Sequence, residues 1–112
     1  MGGVLWPAQP PVRLDEALSE ILQEAKRIAC DVPGAVWYGF GSYFRGQNPF
    51  GDIDILVICP TTADAVAVRT MTANLCSLWP LHLVIMTEDE QRETGFVASE
   101  GCVMLHATAA PM

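Results

Sequence analysis

Two short runs in this chain hold residue types that can do chemistry on a phosphate group. Asp52 and Asp54 stand two apart in Gly51-Asp52-Ile53-Asp54-Ile55-Leu56-Val57, and Gly41-Ser42 precedes them with nine residues between. Along a strand, residues i and i+2 face the same way with Cα atoms about 6.5–7 Å apart, so both carboxylates enter one volume while Ile53, Ile55 and Val57 turn toward a core. Two such anions raise each other's pKa unless a cation compensates. Mg²⁺ suits the position, because it combines a few carboxylates with phosphate oxygens and water; Mn²⁺ is the alternative. Gly41 lets a phosphate approach the backbone, Ser42 can donate a hydrogen bond to it, and Arg45, one helical turn on, can add a charge-assisted contact. Together the halves suit metal-assisted phosphoryl or nucleotidyl transfer, in which ions roughly 4 Å apart clamp the attacking and leaving oxygens. Singly, each has an ordinary explanation: Gly-Ser is a turn, Asp-x-Asp a solvated strand end, Arg45 a surface charge. Their combination, in this order after a strand, points to a nucleotide site.

The elements that must position these residues follow from periodicity. Leu14, Ala17, Leu18, Ile21, Leu22, Ala25, Ile28 and Ala29 recur at helical spacing, and Pro33-Gly34 stops that helix. Ala35 to Phe40 has strand length and composition and runs into the Gly-Ser turn and a short helix. Residues 46–51 read as a loop, Asp52 to Cys59 as a buried strand, and Pro60 closes it. Thr61 or Thr62 can cap a second amphipathic helix bearing Ala67, Val68, Met71, Leu75 and Leu78, which Pro80 ends. Leu81 to Met86 reads as a strand, Thr87-x-x-Glu90 as a capping box opening a short helix, and residues 102–105 as a last strand. The expected fold class is α/β (α+β): a small mixed sheet with helices packed on it, in one domain over residues 13–106. Residues 1–12 make an irregular arm and 107–112 a loose tail.

Composition narrows the partners. A chain of 112 residues is sized for one core, so a substrate or partner is expected from another molecule, with a homo-oligomer left open. Thirteen acidic residues against six basic ones, a net charge of -7, disfavour nucleic acid. Met1 to Pro11 lacks the charged and apolar regions of a signal peptide, and no apolar run reaches membrane-spanning length, so a cytoplasmic location is expected. Cys30, Cys59, Cys76 and Cys102 form no Cys-x-x-Cys pair and lie among apolar residues, which suits reduced, buried thiols.

The pattern Gly41-Ser42-x-x-Arg45-Gly46 followed by Asp52-x-Asp54 on an apolar strand resembles the signature of the nucleotidyltransferase superfamily with the DNA polymerase beta fold, specifically its minimal stand-alone branch. That resemblance covers roughly residues 14–105. It implies two Mg²⁺ ions on Asp52 and Asp54, the triphosphate of ATP or another nucleotide on Gly41 and Ser42, and transfer of a nucleoside monophosphate to an acceptor hydroxyl. It further implies a separate helical partner of the HEPN type, with the chain as the antitoxin half of a toxin–antitoxin pair. One departure matters. The third carboxylate of the family falls at His82, in Leu81-His82-Leu83-Val84-Ile85, where an imidazole can bind metal or act as a base near neutral pH but brings no negative charge. Two readings therefore stand, an active enzyme that modifies a partner protein and a degenerate module that neutralises its partner by association. A small-molecule acceptor such as an aminoglycoside is weakened by the lack of a second domain. Glu88, Asp89 and Glu90 answer the dipole of the helix they begin. Tyr43 and Phe44 can line a base pocket or meet a partner helix, whereas Trp6, Trp37 and Trp79 read as packing residues.

Overall fold

The computed structural model describes residues 14–46 and 52–107. The N-terminal arm, most of the loop before Asp52 and the tail beyond Ala107 lie outside them.

Helix α1, Leu14–Ala29, puts Ala17, Ile21, Ala25 and Ile28 on its fully buried stripe, with steps of four, four and three residues that keep them on one face. Lys26 and Arg27 in its last turn complement the negative end of the helix dipole. Strand β1, Val36–Phe40, leads directly into the four-residue helix α2, Gly41–Phe44. Strand β2, Ile53–Cys59, is followed by α3, Thr62–Met71, and α4, Ala73–Leu78. Strand β3, Leu81–Thr87, gives way to α5, Glu88–Thr94, and α6, Phe96–Glu100, and β4, Val103–Ala107, completes the chain.

The strands form one mixed sheet in the order β3-β2-β1-β4, with β2 parallel to β3 and β1 antiparallel to both β2 and β4. Ile53, Ile55, Val57 and Cys59 bury one face of β2 against α1 and α3, in a core that includes the fully buried Trp37. Leu56 and Ile58 bury the other face with Phe40 and Met86, and Phe96 and Val97 of α6 pack against them. Strand β2 is thus buried on both sides, which explains why its sequence is a nearly continuous apolar run. Asp54 interrupts that run.

Several expectations need adjustment. Strand β2 begins at Ile53, so Asp52 precedes the strand that was expected to carry it, and β1 begins at Val36 rather than Ala35. The single helix foreseen before Pro80 breaks at Thr72, whose hydroxyl, within the core, donates to the Val68 carbonyl at 2.7 Å. Helix α6 was not foreseen; it is bracketed by Gly95 and Gly101, both at positive φ. Strand β4 begins one residue later than expected and takes in Ala107. Cys30 and Cys76 are exposed, and only Cys59 is fully buried.

Candidate functional site

The register of the sheet assembles the site. Phe40, the last residue of β1, pairs with Asp54, and Asp54 pairs with His82 of β3, so the three stand in a row across adjacent strands on one face of the sheet. Asp54 and His82 lie near the starts of two parallel strands, where the end of β1 turns into α2. His82 Nδ1 and Asp54 Oδ1 are 2.9 Å apart. Since the carboxylate accepts, Nδ1 carries the hydrogen, which in the neutral ring leaves Nε2 as an acceptor. The two side chains differ in exposure: Asp54 shows 22% of its side chain to solvent and His82 61%. The carboxylate is held in the sheet while the imidazole reaches out.

Gly41 closes the opposite side. Its φ is +80°, and a β-carbon there would lie 2.0 Å from Asp54 Oδ2, so glycine alone allows the carboxylate to sit against this turn. Gly39 plays a related part in β1, where an added β-carbon would strike the Phe44 ring at 2.3 Å. Phe44 and Tyr43 pack edge to face, with centroids 5.0 Å apart, and both lie against the core on the α1 side. Both rings are thus half-buried, with core neighbours. Of the tryptophans, Trp37 and Trp79 pack in the core and Trp6 lies outside the described residues.

Of the residues singled out by sequence, Gly41, Asp54 and His82 meet. Ser42 is half-buried next to Gly41 in α2. Asp52 is exposed one residue before β2, and Arg45 is exposed at the far end of α2. Two further residues frame the site. Phe40 meets the His82 ring at a centroid distance of 6.3 Å and Phe96 at 5.1 Å, edge to face in both cases. Nothing in the sequence flags Phe40 as a neighbour of His82, because their proximity depends on two strand registers. Glu90 is occupied in the capping box with Thr87, where the Thr87 N–H donates to its carboxylate at 2.9 Å. His106 belongs to β4 and pairs with Trp37, away from this end of the sheet. Cys59 is no rival nucleophile: burial, with a smaller contribution from Asp64, pushes its thiol up to about 11.

Carboxylate oxygens are donors for a hard cation. Asp54 and Asp52 offer carboxylate oxygens, and Mg²⁺ is ordinarily held by one or two of these, with phosphate oxygens and water completing its shell. Among the described residues no group of three or more His, Cys, Asp or Glu side chains gathers as a metal site.

No protein-family model matches the chain, and no curated protein matches it. Solved structures do. A candidate nucleotidyltransferase from Sulfolobus solfataricus superposes with a TM-score of 0.50 at 20% identity, over 88% of this chain and 90% of that one. The chain has the nucleotidyltransferase fold. A second structure with this fold's arrangement, a toxin–antitoxin assembly with AMP-PNP, superposes with a TM-score of 0.51 at 25% identity, over 78% of this chain and 73% of the other. Within the nucleotidyltransferase fold seen here, the Gly41 turn, Asp54 and His82 share one end of the sheet. No helix among the described residues is long and apolar enough to cross a membrane.

Proposed function

We propose that this chain is a nucleotidyltransferase that binds ATP with Mg²⁺ or Mn²⁺ and transfers AMP to a hydroxyl on a partner protein, a separate helical chain of the HEPN type. The observation that carries the reading is the packing of the Gly41 turn against the Asp54 carboxylate, which brings a phosphate-compatible backbone and a metal-compatible oxygen together. The toxin–antitoxin structure that holds AMP-PNP supports both the nucleotide and the protein partner.

In this reading Gly41 admits the triphosphate to the backbone and the Ser42 hydroxyl donates to it. Asp52 and Asp54 hold the cation, while Arg45 offers a charge-assisted contact from the end of α2. The bound cation supplies charge neutralisation and polarisation of the phosphate oxygens. Asp54 fixes the imidazole with Nδ1–H toward the carboxylate, which leaves Nε2 to accept the proton of the acceptor hydroxyl. The acceptor oxygen bonds to the α-phosphorus, the bond to the bridging oxygen breaks, and pyrophosphate leaves.

A second reading has its own observation. His82 occupies one oxygen of Asp54, as it would in a module that has lost transfer and acts by covering its partner. Incubating a lysate of the source cells with α-phosphate-labelled ATP separates the two. Wild type is expected to label a discrete protein, and Asp54→Ala to lower labelling at least about 100-fold, equivalent to about 2.7 kcal/mol of lost transition-state stabilisation. Label with His82→Asp but none with wild type would instead favour the association module. Undiminished labelling by Asp54→Ala would remove Asp54 from the reaction.

A further inference from the structure

Asp54 turns its two carboxylate oxygens to different neighbours. Oδ1 accepts from His82 Nδ1 at 2.9 Å, and Oδ2 lies against the Gly41 turn. The imidazole is set there by the sheet, since β2–β3 pairing places Asp54 and His82 side by side and Phe40 packs edge-on against the ring. Two ions placed about 4 Å apart each need donors with a free lone pair. On the β3 side of Asp54, the side chain at hand presents an N–H, a hydrogen where a cation requires a lone pair. Among the described residues no third acidic, cysteine or histidine side chain joins to complete a metal group.

We infer that the site takes one divalent cation, brought with the nucleotide, and that the His82–Asp54 pair fills the place a second cation would need. This inference rests on the nucleotide-site reading. His82 then determines how many cations accompany the nucleotide, whatever part it takes in proton transfer. In His82→Asp the N–H is replaced by a carboxylate that can share a cation with Asp54, opening the second position.

The test counts Mn²⁺ by electron paramagnetic resonance on the full chain with saturating AMP-PNP, while equilibrium dialysis measures bound nucleotide separately. Wild type is expected to hold one Mn²⁺ per AMP-PNP, with the spectrum of an isolated ion. His82→Asp is expected to hold two, with the broadened spectrum of a spin-coupled pair, and His82→Asn to stay at one. Two coupled ions in wild type would overturn the inference while leaving the nucleotide site intact. A count of one in a natively folded His82→Asp, judged by circular dichroism, would overturn the role given to His82. Should His82→Asp fail to fold, the wild-type count decides alone. If dialysis shows no AMP-PNP retained by wild type, the nucleotide reading itself falls and takes this inference with it.

Discussion

At Gly41 two demands meet in one residue. Its φ of +80° is a conformation that L side chains rarely adopt, costing them about 1–2 kcal/mol, and its absent β-carbon is what lets Asp54 Oδ2 lie where it does. Gly46 separates the two effects, because its φ is +73° but an added β-carbon would meet none of the described residues within 4 Å. Gly46→Ala is therefore expected to lose about 1–2 kcal/mol in urea unfolding, and Gly41→Ala at least as much. Gly41→Ala alone must also displace the Asp54 carboxylate, so AMP-PNP affinity by calorimetry should fall more than about tenfold in that variant, a loss of ~1.4 kcal/mol, and hold in Gly46→Ala. Equal affinities in the two variants would show that the contact with Asp54 does not matter to binding. That the chain would turn at Gly41 was legible from its place after a strand. That its neighbour would be Asp54 was not, since it depends on how β1 pairs with β2.

The elements show where local sequence decides and where it does not. Thr87 and Glu90 cap α5 reciprocally, the Glu90 N–H donating to Thr87 Oγ1 at 3.2 Å, as the Thr-x-x-Glu spacing implies. Thr87→Ala is expected to cost about 1 kcal/mol in thermal unfolding. Because Thr87 ends β3 at the opposite tip from His82, AMP-PNP affinity should stay within about twofold of wild type, less than ~0.5 kcal/mol; a larger loss would mean that α5 supports the site. Helix α1 was equally legible, because its stripe of Ala and Ile needs no tertiary information. The break at Thr72 was hidden: with no Gly or Pro to mark it, the kink follows from a hydroxyl satisfied within the core by the Val68 carbonyl. Five residues of α6 are too few to show a helical period, and its two bracketing glycines resemble loop punctuation. At the site, the Gly-Ser and Asp-x-Asp runs were visible, but the wall made by Phe40 and Phe96 arises only once β1 and α6 are folded onto the same face.

Over the whole molecule, six basic residues face thirteen acidic ones, and the net charge of -7 opposes any polyanion that approaches without counterions. A triphosphate arriving with its divalent cation carries much of its charge neutralised; the same triphosphate in EDTA meets both the local carboxylates and the field of the chain. Chelation should then weaken AMP-PNP binding at least about tenfold, or ~1.4 kcal/mol. The sign of the salt dependence is the sharper test. Raising ionic strength from about 0.01 to 0.15 M shortens the screening length from about 30 to 8 Å, so like-charge repulsion fades and residual binding in EDTA should strengthen. A basic phosphate site behaves the opposite way, losing affinity as salt displaces the anion. Calorimetric titrations at the two salt concentrations distinguish these cases. Weakening with salt in EDTA would mean that a local positive charge, with Arg45 at the end of α2 the foremost choice, outweighs the field of the whole chain, and that the cation is required for its coordination to Asp54 rather than for neutralisation.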